Sequence, residues 1–155
     1  MAMANMYNYK KPANYHAVKQ NLKPADGVAV VQRPAKSGQD SYLEQRILTA
    51  RPEELTLMLY EGVIKFLNQA KMHVEQANTE KSNATLLRAQ DIIDELNVTL
   101  NMDYDVSNNL RMLYVYMNTR LVEANIKKDT AIIDEVLELA ADLRDTWKEA
   151  VQSLK

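Results

Sequence analysis

The chain has 155 residues, a length that fits one domain with a buried core. Its hydrophobic content of 46% is typical of a globular protein, and its formal net charge is only -2. Cysteine is absent, which excludes disulfides, thiol catalysis and cysteine-based metal sites, and indicates a reducing cytoplasm as the compartment.

The first forty residues differ in composition from the rest. All four prolines and two of the three glycines lie at or before residue 52, which predicts a flexible N-terminal arm before a helical body. Residues 1–40 contain six Lys or Arg against two acids, but these cations are dispersed. We interpret the arm as a solvated tail without a nucleic-acid partner. No apolar run has the length of a membrane span, so we expect no membrane insertion.

The rest of the chain predicts an all-α fold, because a hundred residues almost without helix breakers are rich in Leu, Ala, Glu and Lys. Four long helices with short loops predict an antiparallel up-down four-helix bundle, preceded by the flexible arm. The predicted helices run from Pro52 to Ala77, from a cap at Asn78 or Thr79 to about Leu100, from a cap at Asp105 or Ser107 to about Lys127, and from a cap at Asp129 to the end.

The first predicted helix begins with Pro52, whose fixed φ suits the first helical position. Glu53 and Glu54 then complement the positive end of the helix dipole. Arg51 stands where a capping side chain is usual. Either Thr49 caps an earlier start, or tertiary contacts hold this end of the helix.

Two of the predicted helices carry apolar residues on two faces, whereas a surface helix needs only one apolar stripe. The first predicted helix combines Leu55, Leu59, Gly62, Phe66 and Ala70 with a second stripe of Leu57, Tyr60, Ile64, Leu67 and Val74. The third combines Leu110, Leu113, Tyr114, Met117 and Leu121 with Met112, Val115, Val122 and Ile126 on the opposite side. Both helices could be covered on two sides, or they could form a groove for a partner's amphipathic helices.

Residues suited to catalysis or metal binding are few. The only histidines are His16 and His73, and Ala70 stands where a Glu-x-x-His di-iron motif would need a carboxylate. No glycine-rich phosphate loop is present. We therefore predict no catalytic residue, no metal and no cofactor.

Four separate segments share the pattern of one known family: residues 42–62, 89–97, 113–125 and 143–148. They resemble the flagellar secretion chaperone FliS family, and the resemblance covers about residues 42–152 in order. It implies a cytoplasmic, non-enzymatic chaperone with a four-helix bundle. Such a chaperone binds the C-terminal segment of flagellin, prevents its premature polymerisation and keeps it competent for flagellar type III export. A contact with the flagellar export machinery is a further expectation.

The resemblance and the apolar stripes together suggest partner-binding residues. We expect polar contacts from Arg120 or Asn125 to fix the register of the bound flagellin segment. Apolar contacts with flagellin are expected from Leu57, Tyr60, Ile64, Met112, Val115, Tyr116 and Ile126. The alternative is a homo-oligomeric structural or adaptor bundle, such as a homodimer, that uses the same surface for self-association.

The start of the chain departs from the family pattern. Residues 1–11, with Tyr7 and Tyr9, resemble the family's usual start, so about thirty residues are inserted before Tyr42. We therefore assign residues 1–41 to the arm with this insertion and residues 42–155 to the chaperone domain. In the family the N-terminal segment can cover the groove when flagellin is absent, which assigns this role to Tyr42, Leu43 and Ile47, or to Tyr7 and Tyr9.

Overall fold

The computed structural model describes residues 38–153. Its elements are five α-helices: α1 (Gly38–Thr49), α2 (Pro52–Glu75), α3 (Thr79–Val98), α4 (Asp105–Lys127) and α5 (Thr130–Gln152). The predicted all-helical class is confirmed, and the four predicted helices correspond to α2, α3, α4 and α5. Residues 1–37 of the arm predicted over residues 1–41 lie outside the described residues, and the predicted domain boundary at residue 41 stays a prediction.

Helix α1 was not predicted, and it belongs to a different compact unit from α2 to α5. Its sequence is rich in Gln, Glu, Leu and Arg, which favour helices at exposed positions where packing does not decide the conformation. At its end, the Thr49 hydroxyl donates to the Gln45 carbonyl at 2.8 Å. Thr49 therefore bonds back into α1, and the structure gives no support to its prediction as a cap for the following helix.

Helices α2 to α5 pack in a closed ring, in which α2 and α4 each contact both α3 and α5. Bonds between α2 and α5 show that these two helices run antiparallel. Lys71 near the end of α2 pairs with Asp134 near the start of α5 at 2.9 Å, and Trp147 near the end of α5 donates its indole N–H to the carbonyl of Glu53 at 2.9 Å. This second bond is a tertiary contact that holds the first turn of α2.

The interior of the ring is formed by one apolar stripe from each helix. The fully buried side chains include Leu67 of α2, Ile93 of α3, Leu121 of α4 and Val136 of α5. Gly62 of α2 allows a close approach to α3, because a Cβ atom at this position would stand 3.2 Å from Cδ1 of Ile92. The core therefore draws equally on all four helices.

The helix starts test the predicted caps. Asn78 caps α3 by accepting from the backbone N–H of Lys81 at 3.1 Å, and Asp129 caps α5 by accepting from that of Ala131 at 2.9 Å, so both predictions are confirmed. For α4 the prediction of Asp105 or Ser107 is wrong, because Tyr104 is the N-cap residue and makes no side-chain cap bond. The buried Ser107 hydroxyl instead donates to the carbonyl of Asn101 at 2.6 Å, which orders the preceding loop.

Candidate partner-binding surface

Helix α4 has one buried apolar face and one exposed apolar face. Tyr114, Met117, Leu121 and Ala124 face the core, as the first predicted stripe required. The opposite side exposes five large apolar residues, with Met112 at 71% and Ile126 at 79% of full exposure. We call this set the α4 outer face: Met112, Val115, Tyr116, Val122 and Ile126. It extends over about 21 Å, at 1.5 Å per helical residue.

Helix α2 does not share this property, although the sequence assigned three of its residues to the same surface. Tyr60 is only 3% exposed, and its hydroxyl lies 2.5 Å from that of Tyr114 across the core. Leu57 and Ile64 are half-buried, and Leu67 of the same predicted stripe is fully buried. Tyr60 is therefore an interior residue in this structure, and the α4 outer face does not include the three α2 residues.

A polar network borders the α4 outer face on the side of α5. Arg120 donates from Nε and Nη2 to Oε2 of Glu135, at 3.1 and 2.9 Å, and from Nη1 to Glu123. Glu135 also accepts a bond from the Tyr116 hydroxyl, and Glu123 accepts one from Lys127 at 2.7 Å. Arg120, predicted as a partner-binding residue, is thus already held by two carboxylates.

This network shifts the titration of its members. The hydroxyl of Tyr116 and then the guanidinium of Arg120 lower the pKa of Glu135 below its usual value of 4.5. The pKa of Glu123 is lowered mainly by its bond from Lys127, while the bond to Glu135 raises the pKa of Tyr116. At neutral pH both carboxylates are therefore ionised and the phenol is protonated.

We predict that this network makes stability depend on pH. A carboxylate with a lowered folded-state pKa contributes its full stabilisation above its unfolded pKa, and loses it as the pH falls through the folded-state value. The melting temperature should therefore decrease between roughly pH 5 and pH 3, and Glu135→Gln should make this decrease shallower. Thermal unfolding followed by circular dichroism over this range tests the prediction.

The matched control is Glu138→Gln, which also removes one carboxylate from α5, at an exposed position that is not a member of the network. If the melting temperature of Glu135→Gln fell as steeply with decreasing pH as that of Glu138→Gln, the network would not be the cause of the pH dependence.

On its other side, α4 meets α3 through a row of polar pairs. Asn125 donates to Asn83 at 2.7 Å, Asn118 to Asp94 at 2.6 Å, and Arg111 to Asn97 at 3.3 Å. The Oδ1 atom of Asn125 accepts from Lys128 at 2.6 Å. Asn125 is the second residue that was predicted to fix the register of the partner. Both the nitrogen and the oxygen of its side-chain amide thus make bonds within the chain.

The α3 side of this boundary also exposes apolar residues that the sequence interpretation missed. Leu87 is 47% exposed and Val98 is 78% exposed. A sequence signal was present, because Leu87 directly follows the buried Leu86, and neighbouring residues of a helix point about 100° apart.

The residues predicted to cover the groove lie in α1 or outside the described residues. Tyr42 and Leu43 are exposed and Ile47 is half-buried, whereas Tyr7 and Tyr9 lie outside the described residues. Their role as a cover stays a prediction.

Within residues 38–153, no group of three or more His, Asp or Glu side chains is placed to hold a metal ion. None of the helices described is both long and apolar enough to cross a membrane.

Comparisons with known proteins agree on one family. The family model described as flagellar protein FliS matches residues 35–154. The flagellar secretion chaperone FliS of Bacillus subtilis is 46% identical over 113 residues, which cover 73% of this chain and 85% of that protein. The flagellar secretion chaperone FliS of Escherichia coli is 32% identical over 114 residues, covering 72% and 84% respectively.

A solved structure shows the same fold. The crystal structure of a bacterial flagellar chaperone superposes with a TM-score of 0.63 at 20% identity, and covers 76% of this chain and 99% of that one.

Proposed function

The chain belongs to the FliS family of flagellar secretion chaperones, and from this premise we propose that it binds the C-terminal segment of flagellin through the α4 outer face. The family is one of chaperones and not of enzymes. We place this activity in the cytoplasm, where binding keeps flagellin unpolymerised and competent for type III export. Delivery would require a contact with the export machinery.

The observation that carries the proposal is the exposure of the α4 outer face opposite a complete core stripe. Monomeric soluble proteins rarely expose a continuous apolar surface of this kind unless it binds something. Filament-forming helices present apolar faces that self-associate. A chaperone that covers such a face competes with polymerisation by mass action.

The architecture suits this role. We interpret the ring of α2 to α5 as the antiparallel up-down four-helix bundle expected from the sequence. In it, α4 is held by its buried stripe and by polar pairs on both flanks, so its outer face is presented on a rigid element. A preorganised surface loses little conformational entropy on binding.

Isothermal titration calorimetry of the full chain with a synthetic flagellin C-terminal peptide tests the proposal. We expect saturable binding with a micromolar or tighter Kd and a negative heat-capacity change, which is the mark of apolar burial. Absence of saturable binding at micromolar concentrations would refute it.

A further inference from the structure

The α4 outer face has two borders, and they differ in what they offer to a partner. On the α5 side, Tyr116 and Arg120 are bonded to Glu135, and Arg120 also to Glu123. Beyond them, α5 exposes a stripe of carboxylates: Asp134, Glu138, Asp142, Asp145 and Glu149. A bound apolar helix that extended over α5 would remove these carboxylates from water without gaining apolar contact.

The α3 side is different, because Leu87 and Val98 are exposed there and lie on one stripe of α3. The two residues are eleven positions apart, which is about three turns with an offset of only about 20°. Leu87 is also about 40° around the helix from Asn83, which bonds to α4. We call Leu87 and Val98 the α3 wall.

The polar pairs give the level of each α3 residue along α4. Asn83 meets Asn125 and Asn97 meets Arg111, so the two helices run in opposite directions. Leu87 therefore lies near the level of Val122, and Val98 near the level of Met112. Each end of the α3 wall is thus level, along the helix axes, with an exposed residue of the α4 outer face.

We infer that a flagellin helix lies over the boundary between α3 and α4, where the α3 wall forms the second side of its binding surface. The inference rests on the proposed function. It adds the two α3 residues that contact flagellin and the side of α4 on which the bound helix lies. Two apolar positions at i and i+11 of a bound helix would reach both ends of the wall, about 16 Å apart at 1.5 Å per residue. Between them Asp91 and Asp94 are exposed, so the middle of the bound helix should present polar or basic side chains there.

The test is the double variant Leu87→Gln with Val98→Gln, titrated with the flagellin peptide by calorimetry. Glutamine keeps the helix propensity and the charge but removes the apolar contacts. We expect binding to weaken by about tenfold or more. Met72→Gln, at an exposed methionine of α2, is the matched control and should bind like the unchanged protein.

A Kd of the double variant within about twofold of that of the unchanged protein would overturn the role of the α3 wall in binding. If Val115→Asp on α4 abolished binding in the same series, the proposed function would stand without the wall. If the unchanged protein failed to bind the peptide, both would fall.

A second measurement does not depend on affinity. The chain has no cysteine, so a thiol introduced by Leu87→Cys, Val98→Cys or Met72→Cys reacts alone with an alkylating reagent. Saturating peptide should slow alkylation at positions 87 and 98 and leave that at position 72 unchanged. Equal rates with and without peptide at positions 87 and 98 would contradict the inference.

Discussion

Val115→Asp is expected to weaken binding of the flagellin C-terminal peptide by about a hundredfold or more, while the helical content and the melting temperature change little. Val115 lies in the middle of the α4 outer face and is half exposed, so its carboxylate replacement is solvated in the free protein. A bound apolar helix would bury that charge without a partner. Such a burial costs several kcal/mol, and each 1.4 kcal/mol is a factor of ten in affinity.

The measurement is calorimetry with the same peptide, accompanied by circular dichroism to verify folding. The control is Met72→Asp, which adds the same charge at an exposed apolar position of α2. Equal affinity of Val115→Asp and the unchanged protein would exclude the α4 outer face as the binding surface.

The same variant separates chaperone binding from self-association, which the sequence offered as the alternative use of this surface. Sedimentation of the unchanged protein and of Val115→Asp gives the oligomeric state of each. A stable oligomer that Val115→Asp converts to a monomer, without any binding of flagellin peptide, would favour self-association instead.

Leu121→Ala is expected to destabilise the protein by about 2–5 kcal/mol, whereas Val122→Ala at the next position should change stability by less than about 0.5 kcal/mol. Leu121 is fully buried in the ring, so its truncation leaves a cavity. Val122 is exposed on the α4 outer face, and alanine is the better helix former there.

Denaturant unfolding followed by the fluorescence of Trp147 measures both free energies, because Trp147 is the single tryptophan and is buried. The two variants truncate neighbouring apolar residues of one helix, one facing the core and one facing solvent, so each controls for the other. A similar loss of stability in both would mean that the α4 outer face is packed rather than exposed, and would remove the basis of the binding proposal.

Much of the fold could be predicted from sequence because the signals are local. Proline at residue 52, the caps at Asn78 and Asp129 and the 3.6-residue apolar period each act within a few residues of the chain. Helix α1 was missed because its sequence is only weakly apolar. The cap at α4 was missed because Ser107 bonds across the loop to Asn101 rather than to its own helix.

The surface was predicted less completely, since periodicity gives the faces of a helix but not what covers them. By itself the sequence determined that α2 and α4 each have two apolar faces, and its segments carried the family resemblance. Only the tertiary structure decided that the core includes Tyr60 of α2 while Val115 and Ile126 of α4 stay exposed. The physical reason is that burial depends on which helices pack alongside, and the apolar period is the same whether a face meets a neighbour or solvent.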